Sequence, residues 1–163
     1  MGRLIAIDPG INFTGSAKFR NGVLVNVLLI KRRAKDLALN ICEQCEILND
    51  FCWDAGHDMN AHVVVEMPRN YPKSPVRIND IVDLAAMAGA LGESAANVFS
   101  GKLRFVYPKV WKGDVPKPIH NERILEKVPK LNGLLKPYPK GQHEHIIDAV
   151  GIGLWAMSFS TKE

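Results

Sequence analysis

The sequence predicts an α/β protein with a mixed five-stranded sheet, in which an antiparallel three-strand meander continues into parallel strands and helices flank the sheet. Short apolar runs that end at turn residues recur along the chain, as expected for buried strands. The first three runs follow one another directly, which predicts antiparallel pairing, whereas helical segments separate the later runs. A chain of 163 residues can bury one complete core, so we predict a single domain over residues 1–163.

Each predicted element has a signal of its own. Strands are predicted over about residues 3–8, 14–20, 23–31, 62–66 and 103–107. Asn21-Gly22, between the second and third of these, is a strong hairpin signal. Helices are predicted over about residues 34–54, 79–98, 119–127 and 143–159. The basic segment 108–118 and the proline-rich segment 128–141 are predicted as loops.

Composition limits the class of protein. An apolar content of 47% with 23% charged residues is typical of a globular chain. The net charge of +4 and the pI of about 9.0 favour an anionic partner. No apolar run approaches the roughly 20 residues that cross a bilayer, and the first residues lack a secretory pattern. We therefore predict a cytoplasmic protein with no membrane partner.

The three cysteines do not predict a disulfide framework, because their number is odd. Cys42 and Cys45 have the C-x-x-C spacing of zinc and redox sites, and His57 and His62 follow them. No second C-x-x-C pair occurs in the sequence. Cys45 and Cys52 fall on the apolar stripe of a predicted helix, so we expect them to pack as small hydrophobic residues.

The most informative acid is Asp8, which ends the first predicted strand and is followed by Pro9-Gly10 and then by Thr14-Gly15. The carboxyl end of a central strand is where α/β sheets usually place their chemistry. A metal-dependent nuclease would use Asp8 as a ligand. An actin-like or sugar-kinase-like protein would use the turn to hold the phosphates of a nucleotide. Asp8 could also simply close the strand turn.

Three further side chains favour the metal site. Glu66 ends the fourth predicted strand, and His145 and Asp148 lie three positions apart on one face of the last helix. Two Mg²⁺ or Mn²⁺ ions about 4 Å apart need several such ligands from different elements. Asp8 would bridge both ions, Glu66 would hold one, and His145 with Asp148 would hold the other. This arrangement suits phosphodiester hydrolysis.

The sequence resembles the RuvC-type Holliday-junction resolvases (crossover junction endodeoxyribonucleases) of the ribonuclease-H-like superfamily. The matching segments are Ile7-Asp8-Pro9-Gly10 with Thr14-Gly15, Val64-Val65-Glu66, and His145-Ile-Ile-Asp148-Ala149, with a looser match at Tyr107-Pro108, Lys112 and Lys117. The small size and the Trp-Lys-Gly-Asp-Val-Pro-Lys loop look phage-like. The resemblance implies the ribonuclease-H-like fold and a catalytic set of Asp8, Glu66, His145 and Asp148.

The resemblance also implies an activity and partners. The activity would be a structure-selective endodeoxyribonuclease that resolves four-way DNA junctions by paired symmetric nicks. Its partners would be branched DNA and a second copy of the chain, with no organic cofactor. Part of the dimer surface would lie on the Ala- and Gly-rich helix near residues 81–96, which could equally pack within the chain.

One departure from the family concerns the fourth ligand. Where many relatives carry an aspartate three residues before the last acid, this chain has His145. Glu144 competes for the role, but the family register favours His145. Because imidazole suits Mn²⁺ better than Mg²⁺, we expect Mn²⁺ to support cleavage at least as well.

Two basic segments are candidates for DNA contacts. The candidate residues are Lys109, Lys112 and Lys117 in the later segment, and Arg69, Tyr71, Lys73 and Arg77 after Glu66. Tyr71 would stack on an unpaired base at the junction centre. The alternative is that the earlier segment is only a solvated, proline-stiffened loop.

Two other functions stay open from the sequence. A nuclease of the same fold could act on RNA or on other branched DNA. A nucleotide-binding protein of the actin or sugar-kinase kind is a third possibility, although the sequence lacks a second phosphate loop and an adenosine motif.

Overall fold

A computed structural model of the chain describes residues 2–53, 61–69 and 77–160. Its five strands are β1 (Arg3–Asp8), β2 (Phe13–Arg20), β3 (Val23–Lys31), β4 (Ala61–Glu66) and β5 (Lys102–Val106). They form one sheet in the order β3-β2-β1-β4-β5. The first three strands pair antiparallel, whereas β4 pairs parallel to both β1 and β5. The predicted mixed five-stranded sheet is therefore confirmed.

The hairpin between β2 and β3 forms where Asn21-Gly22 predicts it. Asn21 has a φ of 51° and Gly22 a φ of 81°, the left-handed conformations that a two-residue hairpin turn of this kind requires. All six residues of β1 are buried, because the strand is central and covered on both faces. The register pairs Ile7 with Val65, so the side chains that follow, Asp8 and Glu66, lie at the same end of adjacent strands.

Two layers of helix cover the sheet. The helices are α1 (Leu37–Cys52), α2 (Ile78–Phe99), α3 (Pro108–Lys112), α4 (Lys117–Lys127), α5 (Lys130–Leu135) and α6 (His143–Ser160), with a 3₁₀ turn at Lys140–Gln142. The α1–α2 pair packs on the face that presents Ile5 and Ile7. Helix α6 packs on the opposite face, which presents Leu4 and Ala6. Because the side chains of a strand alternate between its two faces, β1 contributes residues to both hydrophobic cores.

Two predicted loops contain helices. The basic loop begins with α3, because Pro108 at the first helical position is pre-organised for a helix start. The proline-rich connector contains α5, whose Leu131 and Leu135 are buried in the core below α6. Burial of these two leucines outweighs the loop-like composition around them. Helix α1 begins at Leu37 rather than near residue 34, because the Asp36 side chain caps it by accepting a hydrogen bond from the Leu39 N–H.

Three further predictions concern membrane spans, the cysteines and the Ala- and Gly-rich helix. None of the described helices is long and apolar enough to cross a membrane. Cys52 is buried in the core under α2, Cys45 packs at its margin, and Cys42 is exposed. His57 lies outside the described residues. On α2, a Cβ added to Gly92 would lie 2.9 Å from the Leu103 side chain, so this small residue serves packing within the chain.

Candidate active site

A cleft of about 660 Å³ opens at the carboxyl ends of β1 and β4, against the first turn of α6. Four side chains that the sequence singled out line it together: Asp8, Glu66, His145 and Asp148. They come from residues far apart in the sequence, and the parallel register of β1 and β4 with the packing of α6 brings them to one place. Lys112 and Lys117 also line the cleft.

The loop after β1, which forms one wall of the cleft, is fixed by side chains around it. The Thr14 hydroxyl accepts a hydrogen bond from the Gly10 N–H at 3.0 Å and donates to the Gly10 carbonyl at 3.1 Å. From α1, the Asn40 amide donates to the Ile11 carbonyl at 3.1 Å, and Gln44 donates to the Gly10 carbonyl at 3.4 Å. Asn40 and Gln44 are wholly buried and hold the loop against α1.

The role of Asn40 and Gln44 was not predicted from the sequence. A signal was present, because these two amides precede Leu48 and Cys52 at spacings of four and so share the buried stripe of α1. Polar residues at core positions usually have a specific partner. Here the partner is the loop that follows Asp8.

Glu66 is oriented by Trp111, a second residue that the sequence analysis did not single out. The Trp111 indole Nε1 donates a hydrogen bond to Glu66 Oε2 at 2.6 Å. The Trp111 ring is 7% exposed and meets the His120 ring edge-on, with centroids 5.0 Å apart. The ring also packs against α6, where a Cβ added to Gly151 would be 2.6 Å from it. The ring is therefore held rigidly, and so is the donor.

His145 approaches Asp8 because α6 begins directly against β2. A Cβ added to Gly15 would lie 2.0 Å from the His145 carbonyl oxygen, so only glycine permits this contact. The imidazole Nδ1 is 3.2 Å from Asp8 Oδ2, and the ring stacks on Phe13 with centroids 5.8 Å apart. Glu144, the competing fourth ligand, is 46% exposed and its carboxylate is 3.0 Å from the Lys117 ammonium.

The cleft concentrates negative charge. Burial raises the pKa of Asp8, and the neighbouring Asp148 raises it further while the hydrogen bond from His145 opposes the rise. Burial and then the charge of Asp8 raise the pKa of Glu66 to about 7. The hydrogen bond to Asp8 raises the pKa of His145. The charges of Asp8 and Asp148 thus disfavour the ionised form of Glu66, and the charge of Asp148 disfavours that of Asp8.

These features fit a divalent cation. Asp148 Oδ1 is buried and has no hydrogen-bond partner in the described part of the chain, although the Lys117 ammonium is 3.6 Å from Oδ2. Carboxylate oxygens with one imidazole are a suitable donor set for Mg²⁺ or Mn²⁺. No three His, Cys, Asp or Glu side chains of the described residues stand in ligand geometry. Asp8 Oδ2 hydrogen-bonds to His145 and Glu66 Oε2 to Trp111, so the second oxygen of each carboxylate would be the one to bind an ion.

The residues predicted to contact DNA lie in different parts of the structure. Lys112 and Lys117 lie in the cleft, whereas the Lys109 ammonium pairs with Asp114 at 3.5 Å. The Arg69 guanidinium lies over the Tyr107 ring, 5.7 Å from its centroid. Arg77 is exposed and directly precedes α2. Tyr71 and Lys73 lie outside the described residues.

Three solved structures resemble this chain over nearly its whole length. The RuvC structure from Thermus thermophilus matches with a TM-score of 0.64 and 16% identity, over 98% of this chain and 96% of that one. The structure of T. thermophilus RuvC in complex with a Holliday junction substrate matches with a TM-score of 0.59 and 15% identity, over 99% and 96%. The fowlpox virus Holliday junction resolvase matches with a TM-score of 0.55 and 15% identity, over 97% and 99%.

Comparison by sequence adds no relative, because no family model and no curated protein matches the chain. The structural matches nevertheless extend from β1 to α6 and include the elements that carry the cleft. The chain therefore shares the fold of RuvC and of a viral Holliday junction resolvase, which confirms at the level of the fold the resemblance found in the sequence motifs.

Proposed function

We propose that this chain is a divalent-metal-dependent endodeoxyribonuclease that resolves four-way DNA junctions by paired symmetric nicks. One observation carries the proposal: a single cleft is lined by Asp8, Glu66, His145 and Asp148 in a fold shared with RuvC. One of the similar structures is a complex of RuvC with a Holliday junction substrate, which supports branched DNA as the substrate class.

The cleft residues Asp8, Glu66, His145 and Asp148 would hold two ions between them, with the carboxylates as the oxygen donors. Such ions, when bound, lower the pKa of the attacking water and stabilise the leaving 3′ oxygen. The chain itself supplies the orientation: Trp111 restrains Glu66, and Gly15 lets α6 present His145 to Asp8.

The cations of the cleft are suited to the phosphate. The Lys117 ammonium is close to both Asp148 and Glu144, so it neutralises part of the acidic set before an ion arrives. Lys112 also acts electrostatically on Asp8 and Glu66. Both ammonium groups can therefore contact a backbone phosphate bound in the cleft.

The nucleotide-binding alternative receives less support. In an actin-like or sugar-kinase-like protein, the turn after β1 would offer its backbone N–H groups to phosphates. Here the Gly10 N–H is already bonded to Thr14, and the Gly10 and Ile11 carbonyls are bonded to side chains of α1. The turn is thus tied to its own chain at the position where phosphates would bind.

A four-way junction is cut on two opposed strands, so two identical sites suit it and we propose a homodimer. Met87, Ala88 and Leu91 of α2 are buried against the sheet, whereas Ile78 and Val82 of the same helix are exposed. The buried residues account for part of the Ala- and Gly-rich stripe by packing within the chain. The exposed residues are the candidates for contact with a second copy, which sedimentation analysis would detect.

The test uses a labelled synthetic four-way junction, its linear duplex arms and a matching RNA, each with and without Mg²⁺ or Mn²⁺. We expect symmetric nicks confined to the junction and dependent on metal. Asp148→Asn should abolish them, whereas Asp50→Asn, on an exposed turn of α1, should not. Equal cutting of the linear duplex or of the RNA would refute the junction assignment, and cutting in chelator would refute the metal dependence.

A further inference from the structure

A second cavity, of about 320 Å³, lies between α3, α4 and α6. Trp111 stands between this cavity and the candidate active site: its ring lines the cavity, while its indole N–H contacts Glu66. Lys112, the next residue, lines both spaces. A ligand in the cavity would therefore lie close to whatever the active-site cleft holds.

The cavity is positively charged. Its described lining contains the cations Lys112, Arg123 and Lys127 and no carboxylate. Arg123 and Lys127 are four positions apart on one face of α4, and neither forms an ion pair with another described residue. Carboxylates that could neutralise these cations are thus absent from the part of the wall that the structure describes.

His120 is subject to the same positive charge. Burial lowers its pKa, and the charges of Lys112, Arg123 and Lys127 lower it further, while Asp148 acts in the opposite direction. The buried His120 Nε2 has no hydrogen-bond partner among the described side chains and backbone. The electrostatics of the cavity therefore favour an anion and disfavour a metal ion or a cationic group.

The rest of the wall is apolar and partly aromatic. Trp111 and Trp155 contribute indole rings, and Ile124 and Leu154 contribute aliphatic side chains. The Arg104 guanidinium lies over the Trp155 ring, 4.9 Å from its centroid. A ligand with an anionic group beside a flat, apolar group satisfies both parts of this wall, as a nucleotide unit does.

We propose that this cavity binds a backbone phosphate of the nucleic-acid strand that enters the candidate active site, at a nucleotide outside the reacting one. The inference rests on the proposed function, because it assumes a nucleic-acid substrate in the neighbouring cleft. Arg123 and Lys127 contact the phosphate, and the indole of Trp155 lies against the adjoining sugar or base. Lys112, which lines both spaces, lies between this phosphate and the phosphate bound in the active-site cleft. The cavity thus fixes the direction in which the strand leaves the cleft.

The test compares two double variants by their salt dependence. Arg123→Ala/Lys127→Ala removes the cavity cations, and Lys102→Ala/Lys136→Ala removes two exposed cations that line neither cavity. Binding to a labelled junction is measured in chelator at several salt concentrations. Each phosphate contact contributes about 0.9 to the slope of log K against log salt. We expect the cavity variant to lose about one unit of slope and the control variant to lose none.

Each other outcome has a definite meaning. An unchanged slope in the cavity variant, or an equal loss in both variants, overturns the inference. Thymidine 5′-monophosphate is the probe for a free nucleotide: tight binding that requires Arg123 and Lys127 would overturn the assignment to a polymer backbone. If the wild-type protein binds no nucleic acid, the proposed function itself is refuted. If the wild-type protein cuts junctions but the cavity variant shows the same salt dependence of binding, only this inference is refuted. All four substituted side chains are exposed, so both variants should fold.

Discussion

Replacement of Trp111 by phenylalanine tests whether the active-site carboxylates are held in place by the chain itself. The change keeps an aromatic ring between α3 and α6 but removes the indole N–H, which donates to Glu66 at 2.6 Å. The hydrogen bond favours the ionised carboxylate, so its loss raises the pKa of Glu66 further above its ordinary value. A carboxylate that is harder to ionise and free to rotate is a poorer metal ligand.

The size of the effect follows from the geometry. A hydrogen bond to a charged group is worth about 1.5 to 3 kcal/mol, and the partner here is mostly buried. At about 1.4 kcal/mol for each factor of ten, this energy corresponds to a loss of roughly 10- to 100-fold in metal affinity. Substitution of outer residues that orient metal ligands typically costs the same range.

Titration calorimetry with Mn²⁺ measures this loss without any nuclease assay. We expect Trp111→Phe to bind Mn²⁺ about 10- to 100-fold more weakly than the unaltered protein. Trp155→Phe, the same chemical change on α6, should bind Mn²⁺ normally because Trp155 does not contact Glu66. Thermal unfolding of both variants shows whether they fold. A folded Trp111→Phe protein that binds Mn²⁺ as tightly as the unaltered protein would refute the reasoning.

Three further predictions concern the same cleft. Gly15→Ala should destabilise the protein by several kcal/mol in urea unfolding, because its Cβ would meet the His145 carbonyl at 2.0 Å, whereas Gly133→Ala, with open space around it, should not. His145→Ala should lose nearly all junction cleavage, and His145→Asp should retain it with Mg²⁺. Full activity of His145→Ala would transfer the role of fourth ligand to Glu144. Inactivity of the unaltered protein with Mn²⁺ would contradict the ligand set. In chelator, the stability due to the raised pKa of Glu66 should be complete below about pH 4.5 and lost as the pH rises through about 7, by up to about 3 kcal/mol. Between about pH 5 and about pH 8.5, Glu66→Gln should therefore lose less stability than the unaltered protein, and its remaining loss comes from Asp8 and His145, whose pKa values are also raised.

The sheet could be predicted because its signals are local. The buried run that ends at Asp8, the Asn21-Gly22 turn and the run that ends at Glu66 each lie within a few residues of the element they define. Helices α3 and α5 could not be predicted in the same way. Their segments have loop-like compositions, and burial of residues such as Leu131 against distant parts of the chain decides their structure.

The candidate site could likewise be predicted only in part from the sequence. The ends of two parallel strands and one face of a helix can be read from the sequence, and they bring together the four side chains of the cleft. The contacts that orient these side chains cannot be read in this way. Trp111 and Glu66 are 45 positions apart, and Asn40 and Gly15 act on backbone atoms rather than on another side chain. Such contacts depend on how whole elements pack.

The position of bound Mn²⁺, located by anomalous scattering from crystals soaked in the ion, tests the central claim most directly. We predict a peak within ligand distance, about 2.1 Å, of Asp8, with Glu66 or with His145 and Asp148 completing the coordination. Density for the ion at another part of the surface, with the Asp8 carboxylate still bonded to His145 alone, would contradict it.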